Sequence, residues 1–172
     1  SKDIEDGRKA EKLTEEEKEF VMDIAQKTWN FFRENLTEKN NYLPPDNFQE
    51  DRVPKLVSRT SPTNIGLALL AVISSYDLKF ENLDNTINLL EKMINTITEL
   101  PKWNGHLYNW YDIKDLKPLE PKYVSSVDSG NFIGYLYVLK EFLEEIKYKT
   151  QNINNSISEI SNEKERKLYE VK

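Results

Sequence analysis

An all-α fold is predicted from this sequence, and three observations carry the prediction. Apolar residues recur at helical spacing in four separate stretches, each opening on a residue suited to cap a helix. Prolines mark two of the breaks between them, at Pro44-Pro45 and at Pro101. Strand-like alternation is confined to one short run, residues 106–112.

Residues 1–13 are charged and aperiodic and read as a flexible N-terminal segment. Thr14-Glu-Glu-Glu17 is a capping box: the Thr hydroxyl accepts from the amide three residues on, and Glu17 reaches back. The helix it opens carries Phe20, Val21, Ile24, Ala25, Thr28, Phe31 and Phe32 at helical spacing, with Trp29, Phe31 and Phe32 as core. Its acidic first turn suits the helix dipole and is not a metal site. The helix should end near Leu36, since Asn40-Asn41 and Pro44-Pro45 cannot continue it. Residues 37–60 then read as a long loop stiffened by Pro44, Pro45 and Pro54, and a loop of about 20 residues is uncommon unless it has a job.

Ser61-Pro62 is an N-cap followed by proline at the first helical position. Almost every residue from Ile65 to Ile73 is apolar or small, so this helix, to about Tyr76, should be buried on most sides. Asn82 or Asp84 caps a third helix to about Leu100, with Ile87, Leu90, Ile94 and Ile97 on one stripe. Residues 101–125 hold no helical period and permit a short strand or hairpin. Asp128 or Ser129 caps the last helix, with Ile133, Leu136, Leu139, Phe142, Leu143 and Ile146 inside. Residues 14–148 thus form the helical domain. The polar tail, 149–172, keeps Ile153, Ile157 and Ile160 at helical spacing and reads as a long helix needing a partner or as partly disordered.

At 172 residues the chain is long enough for one domain with a real core. Its net charge of −6 argues against nucleic acid and anionic membranes, which are bound through basic patches. With no cysteine and one histidine, disulfides, thiolate chemistry and His-rich metal sites drop out. There is no run of about 18 apolar residues to span a bilayer, and no signal peptide opens the chain. The opening Ser1-Lys2-Asp3 lacks a start methionine, which suggests a processed or excised chain.

Function must rest on residues 60–134. There Gly105-His-Leu-Tyr-Asn-Trp-Tyr-Asp112 and Tyr123-Val-Ser-Ser-Val-Asp-Ser-Gly-Asn131 combine flat apolar faces with hydrogen-bonding edges, as a sugar-binding cleft requires. If the helices starting at Ser61 and Asp128 run the same way, their N-termini and preceding loops meet at one end, rich in free amide donors.

These two strings, with Asn41-Tyr-Leu-Pro-Pro-Asp-Asn-Phe-Gln-Glu50, Arg59-Thr-Ser-Pro-Thr-Asn-Ile-Gly-Leu67 and Pro118-Leu119, resemble the central region of bacterial cyclic β-1,2-glucan synthases over roughly residues 41–140. The resemblance implies a large multidomain parent in the bacterial inner membrane. It joins a UDP-glucose-dependent glycosyltransferase, a glycoside-hydrolase-like (glucoamylase-like) transglycosylation domain that closes the ring, and a phosphorylase-like part that trims chain length. It places this domain in the cytoplasm, as a soluble piece without direct membrane contact. It also implies an (α/α)6 toroid with the sugar channel where inner helices begin. That architecture needs about a dozen helices of about 11–12 residues, and four or five are present. The expectation is therefore about half a toroid, with a short β-hairpin before the last core helix and apolar faces left open to homo-oligomerisation. The partners implied are β-1,2-glucan or its oligosaccharides and the parent's other domains. No cofactor is expected in this segment; UDP-glucose is the parent's donor.

The expected substrate-binding residues are Arg59, Asn64, His106, Tyr108, Trp110, Asp112, Ser126 and Asp128. Arg59 could grip a sugar hydroxyl or a carboxylate, or form a structural ion pair; Asn64 sits with it beside the Ser61 cap. His106 reads as a structural histidine or a sugar contact. Tyr108 and Trp110 would share one strand face and Tyr111 the other, with at least one of the three plugging the core; Trp103 would be a lid or packing residue. Retaining exchange needs two carboxyl groups about 5–5.5 Å apart, and Asp112, Asp115, Glu120 and Asp128 are the candidates. Asp112 could touch sugar, have its pKa raised by neighbouring rings, or cap a turn; Asp115 fits a turn, and Asp128 a helix cap with sugar contact second. The resemblance puts the catalytic glutamates downstream, so the catalytic residues stay unassigned, Asp112 being the candidate here. The function read is one wall of the glucan cleft of a cyclic β-1,2-glucan synthase, inactive alone. The alternatives are a stand-alone carbohydrate-binding helical module and a structural helical protein associating through its tail.

Overall fold

The computed structural model describes residues 12–50 and 55–170. Pro54 and most of residues 1–13 therefore lie outside the described residues. Helix α1, Glu15–Asn35, begins at the expected capping box: Glu17 N donates to Thr14 Oγ1 (3.2 Å) and Thr14 N to Glu17 Oε2 (2.8 Å). It ends at Leu36, whose amide donates to Phe32 O. Only the second half packs. Trp29 is buried and Phe31 and Phe32 half-buried, whereas Phe20, Val21 and Ile24 are exposed and meet no cover among the described residues.

The segment after α1 is more built than the plain loop expected. It holds a 3₁₀ turn, Glu38–Asn40, and three two-residue strands, β1 Phe48–Gln49, β2 Lys55–Leu56 and β3 Arg59–Thr60. Asn41 and Tyr42 take left-handed backbone angles (φ 52° and 55°). In that turn Asn41 Nδ2 donates to Ile113 O (2.7 Å) and accepts at its carbonyl from Thr96 Oγ1 (2.8 Å). Lys114 Nζ donates to Asn40 Oδ1 (2.6 Å). These long-range bonds fasten the loop to the far side of the domain, and they answer why it is long.

Helix α2, Pro62–Asp77, starts as expected, with Asn64 N donating to Ser61 Oγ (3.2 Å) and proline in its first turn. Its mid-section, including Ile65, Ala68, Leu69, Val72 and Ile73, is buried. Ser61→Ala should cost about 1 kcal/mol by urea denaturation, the worth of a side-chain cap. Helix α3, Leu83–Glu99, is capped by Asn82, which accepts from Asn85 N (2.9 Å). Its buried line is Thr86, Leu90, Met93 and Thr96; the predicted Ile87, Ile94 and Ile97 flank it half-buried, because Thr96 turns inward to bond Asn41.

The run 106–112 is not one strand. Strands β4 Lys102–Trp103 and β5 His106–Leu107 form a hairpin around Asn104-Gly105, whose φ of 46° and 84° are those of a type I′ turn. The chain then bends, and β6, Tyr111–Asp112, pairs antiparallel with β3. Helix α4, Ser126–Glu170, follows. Its cap is Ser125, neither Asp128 nor Ser129: Ser125 Oγ accepts from Asp128 N (3.2 Å) and its carbonyl from Ser129 N (3.0 Å). Asp128 thus sits inside the first turn, where a carboxylate favours the helix dipole. The 45-residue helix is about 68 Å long and runs unbroken across residue 149, so tail and last core helix are one element.

Thr63 meets Asp128, Gly66 meets Tyr135 and Tyr76 meets Phe142, in the same order along both helices. Helices α2 and α4 therefore run parallel with their N-termini together. Of the predicted interior of α4, Leu139 and Phe142 are buried and Ile146 half-buried, but Ile133, Leu136 and Leu143 are exposed. α2 covers one side of α4, and no described element covers the other. A second apolar cluster of Leu43, Ile65, Leu100, Leu107, Tyr111 and Ile113 lies under the loops and supports the end where α2 and α4 start.

Candidate functional site

A closed ring of polar contacts surrounds the first turn of α2. Asp46 Oδ2 accepts from Arg59 Nη2 (3.1 Å) and Nε (3.2 Å), and its Oδ1 from Asn64 Nδ2 (3.0 Å). The Arg59 guanidinium lies 4.1 Å over the Trp110 ring, a cation–π contact. With the Asn109 amide turned to satisfy its neighbours, its oxygen accepts from Trp110 Nε1 (2.6 Å) and Tyr123 Oη (2.7 Å), and its nitrogen donates to Asp128 Oδ2 (3.1 Å). Asp128 Oδ1 accepts from Thr63 Oγ1 (2.6 Å), next in sequence to Asn64, which closes the ring.

Local sequence explains each placement. The β3–β6 ladder pairs Arg59 with Asp112 and Thr60 with Tyr111, so Arg59 and Trp110 emerge side by side. Tyr111 is buried: its hydroxyl donates to Pro101 O (2.7 Å) and accepts from Tyr108 N (2.7 Å), which locks the bend that presents Trp110. Burial pushes its phenol up to about 12.

Four expected site residues, Arg59, Asn64, Trp110 and Asp128, are thus brought together. Tyr108 is half-buried and packs edge-on against Tyr111 and its apolar cluster, so the bend after β5 overturns the expectation of a strand with Tyr108 and Trp110 on one face and Tyr111 on the other. Asp112 joins through its backbone, while its side chain accepts from Lys114 N (2.7 Å) and closes a turn. Asp115 does likewise with Lys117 N (3.0 Å), and that amide chiefly holds its carboxyl below the usual range. Ser126 is exposed at the start of α4. His106 stands apart, on the hairpin.

Asp46, Thr63 and Asn109 complete the ring and were not anticipated. Asn109 is 7% exposed, and a carboxamide buried within an aromatic run must find partners; that was its signal. Asp46 follows Pro44-Pro45 and carried none. Asp46→Ala should lower stability by about 1 kcal/mol, because Arg59 is half exposed and solvent screens the pair. It should also weaken the near-ultraviolet dichroism of Trp110. An unchanged spectrum would mean that Asp46 does not hold Arg59 on the indole.

A groove of about 490 Å³ lies next to the ring, between the β4–β5 hairpin, the end of α3 and the start of α4. Ile94, Ile97, Leu107, Phe132, Ile133 and Leu136 line it, with His106 and Lys102 at its edge. Lys102 Nζ donates to the carbonyls of Ile97, Thr98 and Leu100, capping α3, and burial lowers its pKa. The groove is apolar; the ring, with its aromatic face and edge of donors and acceptors, has the chemistry that sugars match.

Cyclic beta-(1,2)-glucan synthase NdvB of Rhizobium meliloti (strain 1021) is 47% identical to this chain over 133 residues. The chain is a relative of one segment of that synthase. The matched stretch is 77% of this chain and 5% of the synthase, so the chain spans only a small part of its curated relative. No family model matches. Among solved structures, a candidate glucoamylase from Bacteroides fragilis NCTC 9343 superposes with a TM-score of 0.59 at 16% identity, covering 74% of this chain and 31% of that one. That likeness shows the fold: the helices are part of an α/α toroid, with short hairpins in the loops at one end. Among the described residues no helix is long and apolar enough to cross a membrane, and no three His, Cys, Asp or Glu side chains gather as a metal site.

Proposed function

We propose that this segment forms one wall of the β-glucan-binding cleft of a cyclic β-1,2-glucan synthase. The observation that carries the reading is the closed ring of Asp46, Arg59, Trp110, Asn109, Asp128, Thr63 and Asn64 at the joined N-termini of α2 and α4. The indole offers a face to a glucose ring, and the surrounding carboxylate, amide and guanidinium groups meet its hydroxyls.

The segment binds and does not catalyse. Asp46 and Asp128 have both oxygens fixed by the ring and Asp112 closes a turn, so none is poised to swing onto an anomeric carbon or to carry a proton, while their remaining lone pairs still accept from sugar hydroxyls. The carboxyl pair of a retaining exchange would come from other parts of the parent. The parent would sit in the inner membrane, with this segment on the cytoplasmic side where UDP-glucose is available as donor.

Calorimetric titration with β-1,2-glucooligosaccharides tests the reading, with maltooligosaccharides as the comparison. Saturable heat is expected for the β-1,2 series alone, lost in Trp110→Ala, and without transglycosylation products. Absence of heat would remove the binding role; new products would place the catalytic pair inside the segment.

A further inference from the structure

Tyr123 stands at the edge of the ring of contacts with its two ends reversed. A surface tyrosine ordinarily lays its apolar body on the protein and leaves its hydroxyl in water. Here the hydroxyl turns inward and donates to the oxygen of the buried Asn109 (2.7 Å), while the residue as a whole stays 48% exposed. The backbone holds it from the other side, since Asn109 N donates to Tyr123 O (2.9 Å). The segment leading to it is fastened too: Asp112 N donates to Lys117 O (3.0 Å) and Leu119 N to Trp110 O (2.9 Å). Such a ring gives up its rotamer freedom and still leaves apolar area in water. That arrangement suits a residue covered by a ligand, because a ring ordered beforehand loses little freedom on binding.

Asn109 also ties this ring to the indole. Its one oxygen accepts from both Tyr123 Oη and Trp110 Nε1 (2.6 Å), so the edges of the two aromatic rings meet at a single atom. Its nitrogen donates to Asp128 Oδ2 (3.1 Å), which fixes the carboxamide from the helix side. Only a short side chain with both an acceptor oxygen and a donor nitrogen can serve all three partners. An aspartate there would set a second carboxylate beside Asp128, and an apolar residue would leave three polar groups unmatched. The indole by itself offers limited area, since the Arg59 guanidinium already lies over one of its faces at 4.1 Å.

We propose that Tyr123 is a second aromatic platform of the cleft, stacking on the glucose unit next to the one that meets Trp110. The inference rests on the glucan-binding reading of this site. Successive units of a glucan present successive apolar ring faces, and two aromatic rings joined at one atom offer adjacent surfaces for them.

Calorimetric titration of the full chain with a β-1,2-glucooligosaccharide tests it, using Tyr123→Phe, Tyr123→Leu and Trp110→Ala. The first two variants both lose the bond to Asn109, so the difference between them reads the ring alone. Tyr123→Leu should bind about tenfold more weakly than Tyr123→Phe, the scale of one aromatic contact. Their urea midpoints and the near-ultraviolet dichroism of Trp110 should match, since the residue is half exposed in the fold. Equal affinities of the two variants, with binding still lost in Trp110→Ala, would overturn the platform and leave the Trp110 reading in place. A Tyr123→Leu chain that loses the Trp110 dichroism along with its affinity would make Tyr123 a structural support and would also overturn the platform. Absence of binding by the native chain would overturn both.

Discussion

Gly66→Val is expected to cost about 3 kcal/mol and to open the site together with the fold. A Cβ at Gly66 would overlap the Tyr135 ring at its root, where rotation of the side chain alone gives little relief. The two helices must then separate, and the Thr63–Asp128 bond that joins their first turns goes with them. Urea denaturation reads the loss, and Tyr135→Ala in the same chain should restore much of it, since neighbours in contact do not add. If Gly66→Val alone were neutral, the close parallel packing of α2 on α4 would be wrong.

Tyr111→Ala should cost about 3–5 kcal/mol, the range for deleting a fully buried ring. Tyr111→Phe should cost about 1–3 kcal/mol, because Pro101 O and Tyr108 N lose their partner. The phenol adds a pH signature. Its pKa is raised by burial from 10 to about 12, so the folded state holds the proton more tightly than the unfolded chain. The stabilisation is complete below pH 10 and lost as pH rises to about 12, at most about 2–3 kcal/mol. Denaturation midpoints followed across that window should fall for the native chain and fall less for Tyr111→Phe.

The helix starts at Thr14 and Ser61 are legible in the sequence because side-chain capping is decided within four residues, whereas at α3 Asn82 and Asp84 both suit the cap and the fold selects Asn82. The meeting of α2 and α4 N-termini follows from the sequence only if the two helices run the same way, and it is the Thr63–Asp128, Gly66–Tyr135 and Tyr76–Phe142 contacts that make them parallel. The cap of α4 is not legible: the sequence points to Asp128 or Ser129, and only the fold shows that Ser125 is the side chain that turns back. The contacts that make the site are long-range and leave no local pattern. Arg59 meets Trp110 because β3 pairs with β6 across some fifty residues, and Asp46 reaches both Arg59 and Asn64 only after the long loop folds back. The Asn104-Gly105 turn, a local signal, is what carries His106 away from that ring and onto the groove.

The most direct test of the central claim is a nitrogen-15 NMR titration with β-1,2-glucooligosaccharide, followed at the indole N–H of Trp110. The ring of contacts predicts that this signal shifts progressively with the side-chain amides of Asn64 and Asn109, while the buried indole of Trp29 stays still. Shifts confined to His106 and the apolar groove, or none at Trp110, would contradict a glucan-binding wall at the joined helix N-termini.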